Sequence, residues 1–289
     1  MSRFLNRTRS AQKALLEETI STQGNPEPWA EILGKSTLVG AGTAERLAKC
    51  SMTHLTPPLD SPSLSNSYVA SSSAMESYRI LRTRLMRAQA AQGLRTLIFS
   101  SAVSKEGKTL TTLNLAQAYV ALKDQRVLLI DGDLRTRAIS KFFAPSPGPG
   151  ISDALVGDAD FADVIFATDK PNLFFVSPGR NVAAPELYAS KRWKEFLTWC
   201  GECFKVILVD APPIFPLADF DLMSAACDGI VLVVRALRTN RDLLQRAVDQ
   251  IDSKKLLGIV YNATQSECRD SSYIEAYLLN ESADRGGRS

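Results

Sequence analysis

Nine consecutive residues, Ser101-Ala102-Val103-Ser104-Lys105-Glu106-Gly107-Lys108-Thr109, are the first in this chain whose types and spacing suit a chemical task. They follow the apolar run Thr96-Leu97-Ile98-Phe99 and lead into a helix-forming run from Thr111 to Leu122. Strand, tight loop ending Gly-Lys-Thr, then helix is the context of a phosphate-binding loop. In such a loop, backbone N–H groups face phosphate oxygens. Lys108 is then placed to reach the β- and γ-phosphates, and the Thr109 hydroxyl to bind Mg²⁺. The residues expected to line a nucleotide are Ser104, Lys105, Glu106, Gly107, Lys108, Thr109 and Leu110. The pattern G-x-x-x-x-G-K-[ST] is not fully met, because Ala102 replaces its first glycine and Lys105 adds a bulky side chain. The alternative is a Gly-Lys turn that caps an ordinary helix.

Two further apolar runs end in carboxylates. Val127-Leu128-Leu129-Ile130 runs into Asp131-Gly132-Asp133-Leu134-Arg135, and Val206-Ile207-Leu208-Val209 into Asp210-Ala211-Pro212-Pro213. A carboxylate at the C-terminal end of a parallel strand faces the ligand crevice. Mg²⁺ takes a few carboxylate or hydroxyl oxygens together with phosphate and water. Asp210 is placed to hold it. Asp131 and Asp133, two apart, point the same way in extended chain. One can serve the metal while the other accepts a proton. Each aspartate alone also fits a strand-end turn or a helix cap.

These groups need a sheet to hold them. From Leu94 onward, apolar runs at 96–100, 127–130, 173–176, 206–209, 230–234 and 257–260 alternate with helical patterns at 109–122, 152–156, 185–199, 217–226 and 240–253. Near-continuous apolar strands separated by helices predict an α/β fold, a mostly parallel central sheet covered on both faces. Residues 1–70 read as a helical or disordered N-terminal extension and linker, Pro- and Ser-rich from Thr56 to Ser67. Residues 71–264 form the nucleotide-binding domain, opened by a helix at 74–92, and 265–289 a polar tail.

Composition narrows the classes. A net charge of +3 gives no basic field for nucleic acid. No apolar run reaches the ~20 residues that span a bilayer, and no signal-peptide core follows Met1, so a cytosolic protein is expected. The odd count of five cysteines suits reduced thiols. Cys200-Gly201-Glu202-Cys203 has redox spacing but precedes a strand rather than opening a helix. The single histidine, His54, rules out histidine-based triads and metal clusters.

With its three motifs in order, the chain resembles the bacterial tyrosine kinases of capsule and exopolysaccharide synthesis. Asp131-Gly132-Asp133-Leu134-Arg135 fills their D-x-D-x-R pattern, and Asp210-Ala211-Pro212-Pro213 their D-x-P-P. Glu76-Ser77-Tyr78-Arg79-Ile80-Leu81-Arg82 matches their E-x-x-R-x-x-R helix. Ser177-Pro178-Gly179, Pro185-Glu186-Leu187, Asp219, Asp228 and Asn262 also resemble family positions. Related partitioning and division-site ATPases usually carry a lysine five places before the loop lysine. Val103 stands there in this chain.

The resemblance implies a three-layer P-loop fold and an ATP- and Mg²⁺-dependent protein-tyrosine autokinase. It implies catalytic roles for Lys108, Asp131, Asp133 and Asp210, with Asp131 as candidate base and Thr109, Asp133 and Asp210 serving Mg²⁺. Asn262 would contact the adenine ring. Glu76, Arg79 and Arg82 would support a homo-oligomer, although a solvated charged stripe on an amphipathic helix explains them equally on physical grounds. Tyr273 and Tyr277 are the candidate phosphoacceptors of a thin tail, and at spacing four they also suit an apolar pair. Implied partners are a separate membrane polysaccharide co-polymerase, which would recruit the cytoplasmic chain to the inner membrane face, and a cognate tyrosine phosphatase. Two departures are noted: Ser104-Lys105 stands where the family has Pro-Gly, and the tail is poor in tyrosine. A non-kinase ATPase switch and a degenerate nucleotide-binding regulator are the alternatives.

Overall fold

The architecture follows from where continuous apolar runs can be buried. The computed structural model describes residues 51–53, 73–122, 125–143, 148–180 and 185–263. All of these lie in the unit Val39–Ser289. Eight strands form one sheet: β1 (Ser51–Thr53), β2 (Thr96–Ser101), β3 (Val127–Asp131), β4 (Ile165–Thr168), β5 (Leu173–Val176), β6 (Val206–Asp210), β7 (Gly229–Arg235) and β8 (Leu256–Asn262). Their order is β1-β4-β5-β3-β6-β2-β7-β8. The helices are α1 (Ser73–Gln92), α2 (Lys108–Val120), α3 (Ile151–Val156), α4 (Lys191–Cys203), α5 (Asp219–Ser224) and α6 (Arg241–Gln250).

All pairings from β5 to β8 are parallel. The central strands β2, β3 and β6 are buried along their whole length, which is why their sequences are apolar without alternation. Two strands add to the six expected. β4 pairs antiparallel with β5, and β1, from within segment 1–70, pairs parallel with β4. Both are very short, and Ile165-Phe166-Ala167-Thr168 has no flanking signal to separate it from a loop.

The single helix expected over 185–199 is two elements. A 3₁₀ turn, Pro185–Ala189, is stopped by Ser190 in extended backbone, and α4 begins at Lys191. Against the sheet, α4 buries Trp193, Phe196 and Cys200, with Phe204 and Tyr188 beside them. Tyr188 and Phe161 meet Trp193 and Phe196 edge-on at 5.1 and 5.3 Å. Cys200 and Cys203 are buried at the end of α4, and burial pushes the Cys200 thiol well above its usual range, which disfavours a redox thiolate.

Helix α1 packs on α2. Leu85 and Met86 are buried, the Tyr119 hydroxyl donates to Gln89 Oε1 at 2.7 Å, and Arg82 Nη1 donates to the Ala118 carbonyl at 2.7 Å. That carbonyl belongs to the last turn of α2, where a cation also complements the helix dipole. Burial, then the neighbouring Arg79, lowers Arg82 from its ordinary value. Arg79 pairs with Glu76 at 2.9 Å along the helix. Among the described residues, no helix is long and apolar enough to cross a membrane.

Arg82 therefore has a role within its own chain. Arg82→Met keeps the apolar stem and removes the cap, and is expected to cost about 1–2 kcal/mol. A urea titration checks this: the midpoint falls while the slope is kept, whereas an unchanged midpoint removes Arg82 from the fold.

Candidate phosphate and carboxylate site

Strand β2 delivers the chain to the loop fully buried, and its last two residues are already engaged. Ser100 Oγ donates to the Pro212 carbonyl and Ser101 Oγ to the Val103 carbonyl, each at 2.7 Å. Ala102, in place of the first motif glycine, is fully buried, and its carbonyl accepts the Phe215 N–H at 3.0 Å. The loop then takes left-handed backbone twice, at Lys105 (φ 65°) and Gly107 (φ 95°). Left-handed residues spaced this way turn successive N–H groups toward one point, a nest for an anion. Lys105 adopts it without being glycine, at about 1 kcal/mol.

The loop is braced from the far strands. The buried Glu106 carboxylate accepts the Val103 N–H at 3.3 Å and the Thr239 hydroxyl. Asn262 Nδ2 donates to the Glu106 carbonyl at 3.0 Å, and Arg235 Nη1 to the Lys105 carbonyl at 3.4 Å. A Cβ on Gly107 would stand 1.8 Å from Asn262 Nδ2, so only glycine fits there.

Lys108 opens α2 and turns into the carboxylates. Its Nζ is 3.4 Å from Asp133 Oδ2, 3.4 Å from both Asp210 oxygens and 3.3 Å from Thr109 Oγ1. Thr109 Oγ1 donates to Asp210 Oδ2 at 2.7 Å. Burial alone would lower Lys108, but Asp210, Asp133 and Asp131 together hold the ammonium above its ordinary value. Burial raises Asp210, while Lys108 and Thr109 pull the other way.

Asp131 lies in register with Asp210 across β3 and β6. Its Oδ2 accepts the Ser140 N–H at 2.8 Å and the Ser140 hydroxyl at 2.7 Å, while its buried Oδ1 has no hydrogen-bond partner. Burial, then the facing Asp210 charge, pushes its carboxyl up to about 7 against the pull of Ser140. Asp131 and Asp133 do not share partners as extended chain would have it. The chain bends after β3, so Asp133 faces Lys108 and caps the Thr136 N–H at 3.0 Å.

The structure thus brings together Lys108, Thr109, Asp131, Asp133 and Asp210, with Glu106, Gly107 and Asn262 at the loop; Ser104 and Lys105 are exposed and Leu110 half-buried. Arg135 pairs with Asp219 at 3.0 Å. Asp228 is elsewhere: it accepts the Arg95 and Thr96 N–H groups at the start of β2, the opposite end of that strand. Glu76, Arg79 and Arg82 lie on α1, and Tyr273 and Tyr277 outside the described residues. Ser140, Thr239, Arg235 and Tyr188, whose hydroxyl donates to the Gly132 carbonyl at 2.9 Å, were not legible beforehand. Arg235 ends β7 and the other three follow strand ends at irregular distances, and none belongs to a local motif.

The donor set fits Mg²⁺. Thr109 Oγ1 and the carboxylates of Asp210 and Asp133 are hard oxygen ligands close together. Asp131 adds an orphaned oxygen, and three carboxylates face one ammonium.

Sheet, loop and carboxylates define a P-loop α/β protein. No family profile matches the chain. The tyrosine-protein kinase CpsD of Streptococcus agalactiae is 33% identical over 170 residues, 57% of this chain and 74% of that protein. A putative tyrosine-protein kinase, EpsB of Ralstonia nicotianae, is 28% identical over 207 residues, 71% of this chain and 27% of that protein. The chain spans about a quarter of the length of EpsB and similar curated relatives. The kinase domain of the Escherichia coli tyrosine kinase ETK shares the fold with a TM-score of 0.66 at 23% identity, covering 80% of this chain and 97% of that domain. The chain belongs to the bacterial tyrosine-kinase family.

Asp131 gives the site a pH signature. Its folded value of about 7 lies above the usual carboxylate range, so folding favours the protonated form. In Mg²⁺-free, nucleotide-free protein, this contribution is fully present below about pH 4 and is lost as pH rises through about 7. Asp131→Asn is expected to exceed the wild type by about 1–3 kcal/mol at pH 8, fading toward pH 4. Urea titrations across that range measure it, and parallel pH profiles would rule it out.

Proposed function

We propose that the chain is an ATP- and Mg²⁺-dependent protein-tyrosine autokinase that regulates capsule or exopolysaccharide polymerisation and export. One observation carries this reading. A buried aspartate of the D-x-D-x-R pattern, raised to about 7 and with one oxygen unpartnered, stands beside a Lys–Thr–Asp phosphate site. A carboxylate tuned near neutral pH suits a general base for a hydroxyl.

The loop N–H groups and Lys108 bind and orient the triphosphate. Mg²⁺, held by Thr109, Asp210 and Asp133, supplies charge neutralisation of the phosphate oxygens when bound. The acceptor tyrosine gives its proton to Asp131 Oδ1 as its oxygen bonds to the γ-phosphorus. The bond from that phosphorus to the β,γ-bridging oxygen breaks, and ADP leaves with the electron pair. Phosphoryl transfer asks mainly for positioning and charge neutralisation, so this small set suffices. Asn262, whose Nδ2 holds the Glu106 carbonyl, would contact the adenine ring. Tyr273 and Tyr277 are the phosphoacceptors, presented between copies assembled through Glu76, Arg79 and Arg82 of α1. A membrane co-polymerase activates the cytoplasmic chain at the inner membrane face, and a cognate tyrosine phosphatase resets it. The names of the curated relatives, tyrosine-protein kinases, support the kinase part of this reading.

The test is incubation of the purified chain with γ-labelled ATP and Mg²⁺. Label is expected on tyrosine, reduced at least about 100-fold by Lys108→Met and lowered by changing Tyr273 and Tyr277 to Phe. Release of free phosphate without labelled tyrosine would falsify the kinase and leave an ATPase switch.

A further inference from the structure

The backbone of Lys105 helps shape the phosphate loop, but its side chain has no part in the chemistry described so far. Its backbone is left-handed at φ 65°, where glycine is favoured, and Arg235 Nη1 holds its carbonyl at 3.4 Å. Its side chain is exposed, and among the described residues its ammonium has no hydrogen bond or ion pair. A strained residue kept by its surroundings directs attention to what its side chain does.

The charge balance of the pocket supplies the task. Lys108 is buried and already shared between Asp133 and Asp210 at 3.4 Å, and Asp131 lies in register beside Asp210. A nucleoside triphosphate brings further negative charge to this acidic floor, in a setting where charges are poorly screened. Mg²⁺ and the loop amides offset part of it. Lys105 is an exposed, uncommitted cation on the loop itself, one residue from Glu106 and three from Lys108, and its backbone helps to form the nest.

We propose that Lys105 is a second phosphate-binding cation, which closes on the terminal phosphates of the bound nucleoside triphosphate and holds its left-handed backbone for the sake of that charge. This rests on the nucleotide-binding reading above. Lysine suits the task because its flexible stem lets a compact charge follow the phosphate as it is transferred.

The experiment compares binding of fluorescent ATP and ADP analogues, with Mg²⁺ and at two salt concentrations, to the full chain and to Lys105→Gly, Lys105→Met and Lys105→Arg. Lys105→Gly relieves the backbone and removes the charge, while Lys105→Met removes the charge alone. Both are expected to bind the ATP analogue about 5–20-fold more weakly, with a flatter salt dependence and a smaller loss for ADP. Lys105→Arg is expected to retain affinity, and Lys105→Gly not to lower the melting temperature. Undiminished ATP binding by Lys105→Gly and Lys105→Met overturns the proposal while leaving the nucleotide site intact. So does an equal loss for ATP and ADP, which would report loop shape instead of terminal phosphate. Absence of ATP binding by the wild type overturns both this proposal and the reading beneath it.

Discussion

The structure turns on one buried ammonium. Lys108 is withdrawn from water, which is tolerable only with opposite charge at hand. Asp133 and Asp210 supply it, and they do so from two different strands. Strands β3 and β6 must therefore be adjacent, parallel and in a register that brings Asp131 opposite Asp210. Strand β2 must lie on the other side of β6 so that its loop delivers the lysine over the same edge. The order β3-β6-β2 is thus fixed by apolar burial below and by charge pairing above.

That pairing leaves the site unbalanced by design of its residues. One ammonium serves three carboxylates, and Asp131 resolves its share of the excess through burial and a raised proton affinity. Its environment divides its two oxygens, one committed to Ser140 and one unpartnered. Asp133 and Asp210 are instead engaged by the Lys108 ammonium, and Asp210 by the Thr109 hydroxyl as well. Carboxylates on neighbouring strand ends thus acquire different chemical characters from their partners alone.

The parts legible in the sequence were those where local pattern and tertiary environment agree. Five buried parallel strands and the half-buried β8 announce themselves as apolar runs, and the carboxylates follow from the ends of two of them. β4 and β1 escaped because a strand of three or four residues carries too little pattern. The break at Ser190 escaped because the apolar spacing of Trp193, Phe196 and Cys200 continues back to Ala189, four residues before Trp193, as though the helix did. Asp131 and Asp133 were expected to act side by side. Spacing in sequence could not reveal the bend that sends one to Ser140 and the other to Lys108.

The loop's departures from its pattern acquire a physical account through contacts that no local motif contains. A glycine-rich phosphate loop owes its shape to permissive backbone. Here that freedom is reduced at Ala102 and absent at Lys105, and the shape is imposed from outside. Ala102 is tied to the segment after β6, Lys105 to Arg235 at the end of β7, and Glu106 to Thr239 and Asn262. Asn262 also fills the space above Gly107 that any side chain would need. The ends of β7 and β8 therefore act as a brace on the phosphate loop, and a residue that disfavours the required backbone can be held there with its side chain turned to use.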